Sequence, residues 1–150
     1  MSELVVRKQI EIDAPPSTVW KVLTDNEFIP QYMFNCVTET DWLPGSPLLW
    51  KGAADGKLYV KGNIVAVDAP HRLSYTVIDP NSTIPDIPAN YLTMTFSLKP
   101  KQEHGSLLEV TEGDFATVAE GQRRYKHTLE GNDMVLQGIK KVAETLVLAR

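Results

Sequence analysis

Only one cysteine, Cys36, occurs in the 150 residues, so no disulfide can close within the chain, a usage that fits a cytoplasmic, reducing environment. Histidine is nearly as scarce. His71, His104 and His127 lack the short spacing of a metal site, with each other or with Cys36, which excludes a zinc site read from sequence. No run approaches the roughly 18 consecutive apolar residues of a membrane span. The N-terminal Met-Ser-Glu-Leu-Val-Val-Arg-Lys also lacks the apolar core of a signal peptide. Fifteen basic residues against nineteen acidic leave a net charge of −4. No Lys/Arg cluster is large enough to track a phosphate backbone, so nucleic acid is not an expected partner. The G-x-S-x-G elbow, the phosphate loop and the dinucleotide fingerprint are all missing, and no cofactor is implied.

What is present is an ordinary globular composition, 43% apolar and 23% charged, in a chain long enough for one domain over residues 1–150 that buries about 68–70% of its unfolded surface. The C-terminal stretch from about Glu120 to Leu148 carries the clearest period. At 100° per residue Val135, Ile139, Val142 and Leu146 fall on one line, flanked by Leu136, Ala143 and Val147. Asp133, Gln137, Lys140, Lys141 and Glu144 take the opposite arc. That predicts a long helix with one face on a core. If it runs unbroken through Gly131-Asn132, Arg124 and Thr128 extend the apolar line with polar side chains, which suggests a pocket with a mouth.

Upstream, Leu4 to Asp13 reads as a strand, and Asp13-Ala14-Pro15-Pro16-Ser17 breaks it and opens a short helix over Ser17–Thr24, since proline is tolerated in a first helical turn. Phe28, Ile29, Tyr32 and Met33 predict a second short helix, interrupted early by Pro30. From Asn35 to Phe115 the period changes to two and turn signals recur. Asp55-Gly56 marks a hairpin, and Gly62 inside Leu58–Val67 marks a bulge or close backbone approach. Arg72–Ile78, Tyr91–Leu98 and Ser106–Glu112 follow as strands, with a proline-bearing loop over Asp79–Asn90. Strands grouped between helices predict an α+β fold: a curved antiparallel sheet of about seven strands, two short helices after the first strand, and a long C-terminal helix.

The run Ile12-Asp13-Ala14-Pro15-Pro16-Ser17-Thr18-Val19-Trp20-Lys21-Val22-Leu23-Thr24-Asp25 resembles the opening of START-like helix-grip domains, the superfamily of the birch-pollen-allergen-like proteins. Gly45-Ser46-Pro47-Leu48 with Trp50, and Gly62 through Val67-Asp68-Ala69-Pro70-His71-Arg72-Leu73-Ser74-Tyr75, are similar to its Aha-type branch, named for an activator of a heat-shock chaperone ATPase. The resemblance implies a helix-grip fold with an internal cavity between sheet and C-terminal helix. Superfamily members bind lipids, hormones or polyketides, and some are cyclases or hydrolases. A chaperone partner is implied as well, although the activator is longer and has a second domain. Where the branch often carries Gly-Trp early in the last helix, this chain has Asp133-Met134-Val135.

Catalytic groups are scarce by contrast. His71 and His104 sit in expected surface turns, His127 lies about 100° off the Ile139 line, and no serine or threonine is paired with a base. Arg123, Arg124, Lys126 and His127 form a small basic cluster whose plain reading is solvated charge; the sharper one has Arg124 guarding the mouth of a cavity and meeting a carboxylate or a polar ligand head. The leading expectation is a binder of a small, mostly apolar or amphipathic molecule. Trp50, Tyr75, Met94 and Phe96 from the sheet and Met134 and Ile139 from the helix would hold it, while Arg124, Thr128 and Tyr75 supply polar selectivity. A gate is expected at Asp79–Asn90 or Phe28–Asn35. The alternatives are a cyclase- or hydrolase-type enzyme using the same space, and a co-chaperone-like interaction module.

Overall fold

The computed structural model describes residues 3–148; the two residues at each end of the expected domain lie outside that range. Seven strands form one antiparallel sheet: β1 (Val6–Ile12), β2 (Cys36–Glu39), β3 (Pro47–Gly52), β4 (Leu58–Asp68), β5 (Arg72–Val77), β6 (Leu92–Lys101) and β7 (Gly105–Gly113). Their order across the sheet is β1-β7-β6-β5-β4-β3-β2, so the first strand pairs with the last and the rest is a meander. Two helices complete the fold, α1 (Pro16–Thr24) and α2 (Gly121–Leu148). The α+β helix-grip architecture read from the sequence is the one observed.

Local chemistry accounts for the elements and for one departure. Pro16 sits at the first position of α1, where its missing N–H is not needed. The second short helix is instead a single 3-10 turn, Ile29–Gln31. Pro30 supplies no donor there, and Phe34 and Asn35 follow at φ +51° and +58°, which ends any helical path. Register shifts between Trp50 and Lys51, and between Ile64 and Ala66, mark irregularities of the kind that bend a sheet. Gly62 is a close approach: a Cβ there would stand 1.6 Å from the Thr76 carbonyl oxygen.

α2 continues without a break through Gly131 and Asn132. Its C-terminal half packs on α1 and β1, burying Leu136, Ile139 and Ala143, with Val135, Val142 and Leu146 at the margin. Gly138 lets the helix come close to the 3-10 turn, since a Cβ there would lie 2.7 Å from Tyr32 Cβ. Tyr32 is fixed in turn by donating its hydroxyl to the Val22 carbonyl at 2.9 Å. A smaller cluster, Val6, Leu92 and Phe115, sits below the start of α2, where Phe115 meets Tyr125 edge-on at 5.6 Å. The Asp79–Asn90 loop anchors that same end. Asn90 accepts from Arg124 through its carbonyl and from the Ala119 N–H through its side chain.

Candidate functional site

The N-terminal half of α2 stands off the sheet. Among the described side chains from Gly121 to Val135 none is fully buried, and Leu136 is the first that is. The space beneath is an open pocket of about 700 Å³. Its floor is Trp50 from β3, Tyr75 from β5, Met94 from β6 and Glu112 from β7; Thr128, Gly131 and Val135 of α2 roof it. Phe34, Asn35 and Asp55 stand at one rim, and His127 stands at the helix side. Being open to solvent, the space holds water unless another molecule displaces it.

Strand register sets the floor. Tyr75 pairs with Met94 and Met94 with Glu112, so the three stand abreast on neighbouring strands. Alternation along β7 turns Ser106, Leu108, Val110 and Glu112 inward. Trp50, Tyr75 and Phe96 form a tilted aromatic row with ring centroids 6.1 Å apart at each step. This places one carboxyl among apolar and aromatic groups. Glu112 is 9% exposed and accepts no hydrogen bond from the described residues. Burial pushes its carboxyl up to about 7, and the charge of Arg124 pulls weakly the other way. The Tyr75 hydroxyl is driven well above its usual range by burial first and by the Glu112 charge second. The indole N–H of Trp50 is buried without a partner among the described residues.

Of the residues expected to hold a ligand, Trp50, Tyr75, Met94 and Thr128 line this pocket. Phe96 and Ile139 do not reach it: Phe96 lies behind Tyr75, and Ile139 is in the packed core against α1 and β1. Met134 points outward and is 68% exposed, because it lies one residue, 100° of helix, from Val135, which takes the inward place. Arg124 donates from Nη1 to the carbonyls of Asn90 and Ala119, at 3.1 and 3.3 Å. It therefore braces the start of α2, with its guanidinium hydrogen-bonded there rather than to Glu112. Of the two expected gates, only the end of Phe28–Asn35 borders the pocket; Asp79–Asn90 does not line it. Glu112 escaped the sequence reading, which took it as the end of a strand. Its parity with Leu108 and Val110 was the available signal.

A curved antiparallel sheet gripping a long C-terminal helix, with two short helical segments after the first strand, defines the helix-grip class. The family model for "Activator of Hsp90 ATPase homolog 1-like protein" matches residues 13–144, and the chain belongs to that family. Among solved structures it is similar to ChR145 from Cytophaga hutchinsonii, 32% identical with a TM-score of 0.77, over 98% of this chain and 99% of that one. It is similar in fold to PFC0360w, an HSP90 activator from Plasmodium falciparum, at 15% identity and a TM-score of 0.62, covering 84% and 87% of the two chains. The Aha1 dimer from Colwellia psychrerythraea is likewise similar, at 13% identity and a TM-score of 0.72, covering 93% and 96%. Among curated proteins none matches in sequence.

Proposed function

We propose that this protein binds a small, mostly apolar molecule in the pocket between the sheet and the N-terminal half of α2. The observation that carries the reading is the roughly 700 Å³ space floored by Trp50, Tyr75 and Met94, within the size range of about 300–1,000 Å³ used by ligand sites. Few polar groups interrupt this lining, so most of the affinity comes from apolar surface removed from water. Thr128, Tyr75 and Glu112 supply the polar contacts that orient the molecule. The test is native mass spectrometry of protein purified from its own host, set against the denatured mass. A retained adduct gives the ligand's mass directly. A bare chain after gentle isolation, with no apolar probe taken up on addition, refutes the reading.

A second reading, a co-chaperone module, rests on the family match and on the likeness to the Plasmodium HSP90 activator. Stimulation of a chaperone ATPase by this chain supports it. Unchanged ATPase rates at saturating protein refute it.

A further inference from the structure

The polar floor of the pocket is short of partners in a particular way. Tyr75 and Glu112 flank Met94 on the concave face, both line the pocket, and neither side chain has a hydrogen-bond partner among the described residues. The Trp50 indole N–H beside Tyr75 is a buried donor with no acceptor among the described residues. Buried polar groups are rarely left unpaired, because each costs about 1–3 kcal/mol when unsatisfied. Of the three, the Trp50 N–H is closed off, whereas the Tyr75 hydroxyl and the Glu112 carboxyl open onto the pocket and are free to meet a ligand there.

We propose, resting on the reading of this pocket as a ligand site, that its ligands carry an uncharged acceptor oxygen, a carbonyl, received by the Tyr75 hydroxyl and by the protonated carboxyl of Glu112. The alternatives meet opposition from the neighbouring charges. The charge of Arg124 on α2, held at the Asn90 and Ala119 carbonyls, acts on Glu112. Lys8, on the inward side of the next strand, is already paired with Asp133 and the Leu129 carbonyl. A cationic head would meet the Arg124 charge, and a carboxylate head, though drawn by Arg124, would have to be desolvated beside another carboxyl. A carbonyl meets donors on both sides without bringing charge into an apolar floor.

Occupancy is then coupled to a proton. Above about 7, where burial has placed Glu112, the carboxylate must take a proton from solvent before it can donate to the ligand. Affinity is therefore greatest on the acid side and falls as pH rises. The other titratable groups at the pocket are Tyr75, with Tyr32 behind it, His127 at the helix rim, and Cys36, Asp55 and Tyr59 at the far end.

Three probes of matched size test this by calorimetry: acetylnaphthalene, isopropylnaphthalene and naphthylethylamine. The ketone should bind about tenfold tighter than the hydrocarbon at about pH 6, one charge-free hydrogen-bonded acceptor being worth roughly that factor. Its affinity should fall about tenfold between about pH 6 and 8 if the bound carboxyl stays protonated. Glu112→Gln, which keeps a donor and removes the titration, should abolish the fall and keep the preference for the ketone. Persistence of the fall in that variant would place the titrating group elsewhere and overturn the proposal. Tyr75→Phe should narrow the gap between ketone and hydrocarbon. Equal, pH-independent binding of ketone and hydrocarbon overturns the acceptor assignment and leaves the apolar pocket standing. Tighter binding of the amine overturns it too. Failure of all three probes removes the ligand-site reading, and this inference with it.

Discussion

Glu112→Gln makes a sharp stability test that needs no ligand. In the folded chain burial raises the carboxyl from 4.5 to about 7, whereas the unfolded chain titrates it near its ordinary value. Between those two pH values the folded state binds more protons than the unfolded state, so stability falls as pH rises through the window and is level above it. A shift of that size corresponds to about 3 kcal/mol at 1.36 kcal/mol per unit, with the attraction of Arg124 already included. Gln fills the same space without a charge to desolvate. The variant should therefore match the wild type near pH 4.5 and exceed it by about 3 kcal/mol at pH 8, or roughly 6–12 °C in Tm for a domain of this length. Asp41, Asp55, Asp86, Asp114 and Glu144, all held below their usual range by hydrogen bonds or by partners such as Lys61 and Lys140, act in the opposite sense at lower pH. Their stabilisation is lost as pH falls through their folded values, so the wild-type curve should peak near pH 4.5–5. Urea unfolding at half-unit steps from about pH 3 to 8.5 reads both slopes. A wild-type curve flat between about 4.5 and 7, or a Gln variant no more stable at pH 8, would refute the burial argument.

Other substitutions examine the frame around the pocket. Gly62→Ala should destabilise by more than about 3 kcal/mol in urea, since its Cβ would collide with the Thr76 carbonyl and part β4 from β5. Gly131→Ala meets nothing within 4 Å and should stabilise by up to about 1 kcal/mol through helix propensity. Gly131→Trp should obstruct the pocket from its roof, leaving unfolding near wild type while any adduct disappears from the native mass spectrum. Tyr32→Phe removes the buried bond to the Val22 carbonyl and should cost about 1–3 kcal/mol; no change in thermal midpoint would mean that carbonyl finds another donor.

Much of this molecule could be read before its fold was known. Periodicity is local, so a change from two to 3.6 located β1, the β2–β7 meander and α2 from side-chain order alone. Gly62 marked a bulge or a close approach, of which the close approach is found, and Asp55-Gly56 a turn at which Gly56 does take φ +69°. The helical phase of α2 was right for Ile139 and misjudged at Met134, where one residue is 100° of rotation. Pro30 gave warning of an interruption, but not that it would reduce a helix to one 3-10 turn.

The sequence alone determined the order of elements and which face of each strand turns inward, because both follow from the geometry of neighbouring residues. Tertiary structure decided what those inward faces meet. The same parity that buries Leu108 and Val110 leaves Glu112 at an open pocket, because α2 buries apolar side chains against α1 and β1 only from Leu136 onward. The separation between helix and sheet at the other end comes from sheet curvature and from the Asn90–Arg124 anchor, contacts between residues 34 positions apart. No local pattern carries those distances.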